Sequence, residues 1–422
     1  MKSVPQQTSL EETLSYLLEE RAKEVARETD CVQREVKFSG ATLLQTVVVG
    51  WLQHPDASLE SLASTAEIRA VSVTDTAIHK RFTPQCAQFL HRMLEELCQV
   101  AVLADQDVPL ALIRRFRLVV IEDSSSIALP DELAEQWRGC GGNQAHTAAA
   151  VKLHVRWDLK RGRLWGPALT AGRASDHSSP WANASLPAKS LYCSDLGYFH
   201  LGRLAQRHQA KVYSLTRLRA GTALFSAQGK RVNLSQVLPP QVGQMKEMRV
   251  QVGVSQRLPM RLLMLRVPKE IGDKRRAALL ADAQRRGQRV SEETLRLADW
   301  TLLITDAPAK RLRFEEALVL LRERWQMELL YKLWKQHGQV DEWRTSNPWR
   351  VLCELYAKLI GMLLQHWLIV RFAQAGMRSV VWSNWPKSCA TRLGRSWKLW
   401  EESARWLRLC GSSAVACARA VR

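Results

Sequence analysis

The sequence predicts an α/β protein: a mixed sheet in the middle of the chain, carrying a β-rich insertion, flanked by all-α N-terminal and C-terminal regions. Three observations carry this. Leu10, Leu14, Leu17 and Leu18 open the chain at helical spacing. From Arg117 short apolar runs bounded by glycine or charge take over, as buried strands do. After Asp306-Ala307-Pro308 helical texture returns, and Phe314 to His337 contains neither Pro nor Gly.

Residues 1–105 read as helices throughout, with Thr42 to Leu52 and Ala87 to Leu103 periodic like the first stretch. Within them, Ser58 to Ala63 and Ser72 to Phe82 form two short segments, the second bearing Ser72, Thr74, Thr76, His79, Lys80 and Arg81. That pairing fits a helix-turn-helix whose second member enters the major groove, and it equally fits two packed bundle helices. The first part of the core, 106–218, holds Leu118 to Ile121 ending at Glu122-Asp123, then Val151 to Trp157 and Leu164 to Thr170. Leu191 to Cys193, a helical Phe199 to Gln206 and a strand at Val212 to Leu218 complete it, the order of an α/β layer.

The insertion, 219–305, is punctuated by Gly221, Gly229, Pro239, Pro240 and Gly243. Met248 to Val254 and Arg261 to Val267 look like strands, Lys274 to Arg286 is a basic helix, and Thr301 to Thr305 is a strand. The second part of the core, 306–340, is the uninterrupted helix. Residues 341–422 are helical with a basic tail containing Trp382, Trp385, Trp397, Trp400 and Trp406.

A chain of 422 residues, 46% of them hydrophobic, can bury enough for roughly two to four domains. With 61 Lys and Arg against 41 Asp and Glu, its formal charge is +20, which favours polyanionic partners, nucleic acid or an anionic membrane surface. The most apolar long run, Val351 to Val370, is broken by Glu354, Lys358, Gln365 and His366, so it reads as a packed helix and no membrane partner is expected. The nine cysteines have no C-x-x-C spacing and read as reduced thiols without a zinc site. Glu11, Glu12, Glu19 and Glu20 stand where an export signal needs a basic flank and an apolar run, so a cytoplasmic protein is expected. P-loop, G-x-S-x-G, H-E-x-x-H and G-x-G-x-x-G signatures are absent, which removes several enzyme classes.

What remains is a set of carboxylates at element ends. Asp123 closes an apolar strand ahead of Ser124-Ser125-Ser126 and is either a turn residue or a ligand at the sheet edge. Asp195 closes another run and is either a ligand or the N-cap of the helix behind it. Glu328 lies inside the long helix with Arg324 one turn before it and Lys335 two turns after it on one stripe. Three converging carboxylates are the donor set that two-metal phosphodiester chemistry requires, and hard oxygen ligands suit Mg²⁺. Glu122, His146, His154, Asp158, Asp176 and His177 have no such spacing and are expected to be structural or supporting.

These blocks resemble the DDE transposases of bacterial insertion sequences, in the insertion-sequence-four, Tn-five-like family. Asp123 with its serine run resembles the first Asp block, Asp195-Leu196-Gly197-Tyr198-Phe199 the second, and Arg324, Glu328 and Lys335 the Y-x2-R-x3-E-x6-K signature. The separations of 72 and 133 residues agree with a β insertion between the second Asp and the Glu. The resemblance covers roughly residues 117–370. It implies an RNase H-like catalytic core, two Mg²⁺ ions with Mn²⁺ able to substitute, and Asp123, Asp195 and Glu328 as catalytic metal ligands.

By the same resemblance the partners are terminal inverted repeats and target DNA, with a homodimer pairing two ends through C-terminal helices. Arg324, Lys335 and Lys332 would face DNA backbone, Arg217 would face DNA, and Trp300 would stack on a flipped base during hairpin formation, where a core position is the plainer alternative. His79, Lys80 and Arg81 would read the end. Leu321 departs from the pattern, since it occupies the Tyr position and has no hydroxyl to offer. The expected activity is cut-and-paste transposition; an inactive end-binding regulator and a stand-alone nuclease of the same superfamily are the alternatives.

Overall fold

The protein is represented by a computed structural model that describes residues 10–100, 110–140, 148–285 and 287–374. His146, Arg286 and the Trp-rich tail therefore lie outside the described residues.

The chain opens with α1 (Leu10–Tyr16), a π-helical turn (Leu17–Arg21) and α2 (Ala22–Glu28). Then come α3 (Gly40–Gln53), α4 (Leu59–Glu67), α5 (Asp75–His79), α6 (Pro84–Cys98) and α7 (Leu110–Arg114). The starts are written in the sequence: Ser39, Ser58, Thr74 and Thr83 each accept a hydrogen bond from the backbone N–H three residues on, and Pro84 takes the first turn of α6. Gly40 permits α3 to abut α2, since a Cβ there would stand 2.4 Å from the Ala22 carbonyl oxygen. The helix-turn-helix candidate resolves into α4 and the five-residue α5, with His79 and Lys80 exposed and Arg81 half-buried over the Phe38 ring.

The core strands are β1 (Val119–Ala128), β2 (Ala150–Asp158), β3 (Arg163–Ala171), β4 (Leu191–Ser194) and, after α8 (Leu201–Gln209), β5 (Tyr213–Arg217). Next come β6 (Leu224–Phe225), α9 (Leu234–Val237), β7 (Met245–Val252), β8 (Leu258–Arg266), α10 (Lys269–Arg285), α11 (Glu292–Leu297) and β9 (Trp300–Thr305). Two long helices follow, α12 (Phe314–Gly338) and α13 (Pro348–Gln374).

All nine strands form one sheet in the order β3-β2-β1-β4-β5-β9-β8-β7-β6. β1, β2 and β3 pair antiparallel, β4 and β5 run parallel to β1, and β9 returns antiparallel to β5. The insertion is thus no separate lobe: β9 welds β6, β7 and β8 onto the core sheet.

Strand alternation sorts the two faces. Val119, Ile121, Leu191, Cys193, Leu215 and Leu303 point to the large core, which runs unbroken from Leu14 to Trp367 and includes α12 and α13. Leu118, Val120 and Tyr192 face the other way, as do Leu302 and Ile304 in a second cluster beneath the insertion.

The sequence expectation for β1 needs correcting. The strand does not stop at Asp123 but continues through the serines to Ala128, because Ser124, Ser125 and Ser126 pair with His154, Leu153 and Lys152 of β2. Ladder bonding to a neighbour overrides the turn propensity of a serine run. α13 packs between α3 and α6. Its Lys358 and Glu354, which interrupt the apolar run, form a buried pair at 2.7 Å, and Lys358 Nζ also donates to the Gln339 carbonyl at 2.9 Å. No described helix is long and apolar enough to cross a membrane.

Candidate active site

Sheet register assembles half of the site. The parallel pairing of β1 with β4 ends at Glu122 opposite Ser194, and that of β4 with β5 ends at Ser194 opposite Thr216. Asp123, Asp195 and Arg217 are the next residues on three adjacent parallel strands, so they stand in one rank at the carboxyl ends, where open α/β sheets gather ligands. Asp195 begins a short 3₁₀ turn, Leu196–Tyr198, yet its side chain makes no capping bond, so its carboxylate is left facing the cleft. That settles the choice between cap and site residue.

The second half comes from α12. Its buried positions Ala317, Leu320, Arg324, Met327, Tyr331 and Trp334 recur every three or four residues, which lays this stripe along β1 and β4. Arg324 falls on the stripe, 8% exposed, and Glu328 sits one turn further at its margin. The Arg324 guanidinium contacts Asp123 Oδ2 at 3.2 Å, Glu328 Oε1 at 3.0 Å and Asp195 Oδ1 at 3.9 Å. One cation therefore joins all three carboxylates that the sequence singles out. Arg217, Leu318 and Leu321 join Asp195, Arg324 and Glu328 in lining a cleft of about 530 Å³. Leu321 is thus part of the cleft wall.

Charge balance in this cluster is tight. Burial pushes the Asp123 carboxyl up to about 6, against the pull of Arg324 and the Ser124 N–H, while the nearby Asp195 and Glu328 push it further. For Arg324, burial works against the charge, but the three carboxylates outweigh it and hold its pKa above the ordinary value. Burial lowers that of Arg217, whose Nε has no hydrogen-bond partner.

The donor set, carboxylate oxygen alone, suits a hard divalent cation. As placed, no three Asp, Glu, His or Cys groups among the described residues stand close enough to chelate one. The Arg324 guanidinium lies among the three carboxylates, so they fit a metal only with that guanidinium turned outward.

Other expected contacts take different places. Lys335 Nζ donates to the Ser126 carbonyl at 2.7 Å and braces α12 on β1, while Lys332 is exposed on the same helix. Trp300 starts β9, three residues before the Leu303 that pairs with Arg217, and does not line the cleft. Its indole donates to the Pro239 carbonyl at 2.9 Å and Arg266 lies 4.0 Å from its ring centroid. In α10, Arg275 and Arg276 bond to Trp300, Thr301 and Asp299 rather than projecting freely. His79, Lys80 and Arg81 belong to the helical bundle and are not part of this cluster.

Several supporting residues had no signal at a ligand spacing. Tyr331, one turn beyond Glu328, donates its hydroxyl to the Asp123 carbonyl at 3.0 Å. Asp176 accepts from Ser124 Oγ at 2.8 Å and Lys152 Nζ at 3.0 Å, and it lies against Gly197, where a Cβ would meet its carboxylate at 2.2 Å. Glu122, on the opposite face from Asp123, binds Arg156 at 2.6 Å and the Tyr192 hydroxyl at 2.9 Å and accepts from Ser179.

Residues 114–364 match the family described as Transposase DDE domain. The chain belongs to the DDE transposase family. Its members are enzymes that cleave and transfer DNA, and the carboxylate cluster of this transposase lies inside the matched span. The chain is 25% identical over 378 residues to the transposase for insertion sequence element IS231E of Bacillus thuringiensis subsp. finitimus, covering 84% of this chain and 78% of that one. It is 26% identical over 380 residues to that of IS231F from Bacillus thuringiensis subsp. israelensis, covering 85% and 79%. A cryo-EM structure of the piggyBac transposase synaptic complex with hairpin DNA aligns over 96% of this transposase and 84% of that chain, at 10% identity and a TM-score of 0.43, too loose to carry detail across.

Proposed function

We propose that this transposase excises and inserts an insertion sequence by cutting at terminal inverted repeats, with Asp123, Asp195 and Glu328 as the catalytic carboxylates. The observation that carries this is the convergence of all three on Arg324 at the open end of β1, β4 and α12. The strand order β3-β2-β1-β4-β5, with three antiparallel and two parallel partners, supports an RNase H-like core.

The same carboxylates would hold divalent cations, Mg²⁺ by ligand chemistry, which when bound supply an activated water and charge relief at the leaving oxygen. Arg324, displaced from between the carboxylates, would then reach the cleft mouth beside Arg217, where two guanidiniums can hold a phosphodiester. The sheet rank fixes Asp123 and Asp195, and Tyr331 fixes the Asp123 backbone, so the ligands are placed before DNA arrives. Hairpin formation with Trp300 as stacking platform, end reading by His79, Lys80 and Arg81, backbone contacts from Lys332 and Lys335, and pairing of ends by a homodimer complete the reading.

The test is incubation of the full chain with a labelled candidate end and Mg²⁺. Nicked, hairpin and double-strand-break products are expected from the wild type, and Glu328→Gln should bind the end but leave it uncut. Cutting that persists in Glu328→Gln would overturn the assignment.

A further inference from the structure

A second arginine cluster lies on the opposite face of the sheet from the carboxylates. There Arg156, Asn183, Ser185, Arg203, Gln206 and Arg207 line a pocket of about 180 Å³, the room of roughly six water molecules. Arg156 forms part of its wall and is 2% exposed. Its Nε binds Glu122 at 2.6 Å and one Nη binds the Trp181 carbonyl at 2.6 Å, while Nη1 is buried without any hydrogen-bond partner. Buried guanidinium nitrogens are ordinarily satisfied, so an orphan beside a cavity points to an absent acceptor.

The other two arginines add charge without neutralisation. Arg207 lies over the Tyr192 ring, 3.7 Å from its centroid, and Arg203 donates to the His177 carbonyl. Neither forms an ion pair with a carboxylate among the described residues. Glu122, the carboxylate at this site, is already engaged by Arg156, Tyr192 and Ser179. Three guanidiniums thus face one carboxylate. The amide and hydroxyl groups of Asn183, Gln206 and Ser185 at the rim can donate as well.

We propose that this pocket binds a phosphoryl oxyanion, the chemistry shared by free inorganic phosphate and a backbone phosphate of DNA. A tetrahedral oxyanion matches forked donors on several sides, and the volume admits a single phosphoryl group with part of its hydration. Because Arg156 pairs through Glu122 with the strand that carries Asp123, an occupant would also brace β1 from behind.

The full chain is titrated with inorganic phosphate in EDTA, at ionic strength held constant with chloride, and its Tm followed. EDTA keeps divalent cations off the carboxylates, so the result is independent of the cleavage reading. A saturable rise over chloride is expected in the wild type and its loss in Arg203→Gln/Arg207→Gln, a pair chosen because Arg156→Gln would strand Glu122 and risk misfolding. Circular dichroism of the phosphate-free variant serves as the folding control. The salt dependence of duplex binding distinguishes the sources: a slope shallower by about one per arginine removed identifies a DNA phosphate, and an unchanged slope identifies the free anion. No rise over chloride, or an equal rise in a folded double variant, would overturn the proposal.

Discussion

Arg324 is the residue on which the site turns, because it takes the place among the carboxylates that a metal would need. Replacing it by Gln leaves Asp123, Asp195 and Glu328 facing one another without their shared cation, a loss of about 2–4 kcal/mol when a partly buried charge partner is removed. The variant should therefore melt below the wild type in EDTA, and Mn²⁺ or Mg²⁺ should raise its Tm more than the wild type's. Equal rises would show that the carboxylates do not share one cation site. Tyr331→Phe makes a different point, since it removes only the hydroxyl that donates to the Asp123 carbonyl. It should cost about 1 kcal/mol in denaturant unfolding and slow single-turnover cleavage while sparing DNA affinity; unchanged cleavage would reduce Tyr331 to packing. Arg324 and Glu328 are legible in the sequence because their helical spacing alone puts them in contact. Tyr331 is not, since a tyrosine on an apolar stripe reads as core until the strand beneath it is known.

At the scale of elements, α12 is read almost to its ends, for nothing between Phe314 and His337 breaks a helix. β1 is read only in its apolar half, because the serines after Asp123 become strand solely through pairing with β2. What locks α12 to that strand's entrance is Glu316, which accepts from Arg115 at 3.0 Å and from the Arg313 backbone N–H at 2.9 Å. Despite the cost of burial, the bonds to Arg115 and Arg313 hold its carboxyl down to about 2, against an ordinary value of 4.5. A depressed carboxyl stabilises fully above the unfolded value and loses that contribution as pH falls through the folded one. Glu316→Gln should therefore cost about 3 kcal/mol at pH 7, read as a lower Tm. The gap from wild type should narrow steadily from about pH 4.5 toward pH 2. A gap that is constant over that range would mean that the ion pair contributes nothing.

On the scale of the whole molecule, the sequence suggests beads along a chain, and the packing does not follow them. Local periodicity reveals each helix and strand but not that β9 joins the insertion to β5, or that α13 returns to the first hundred residues, since both depend on contacts distant in sequence. The second return has a consequence for the N-terminal region expected to read DNA ends. α13 seats against α3 and α6, close enough that a Cβ on Gly361 would lie 3.3 Å from Leu52 Cβ. Leu44, Val48, Phe89 and Met93 share one continuous core with Val351, Leu355 and Leu359. A fragment of residues 1–105 would expose that face to water at roughly 25 cal/mol per Å² of apolar surface, with no strand or helix of its own to cover it. Expressed alone, it should be molten or aggregated: helical by far-UV circular dichroism, binding a hydrophobic dye and lacking a cooperative thermal transition. The same fragment joined by a flexible linker to residues 340–374 should recover cooperative unfolding. Cooperative melting of 1–105 by itself would show instead that the end-reading region is an independent domain, and that α13 only rests on it.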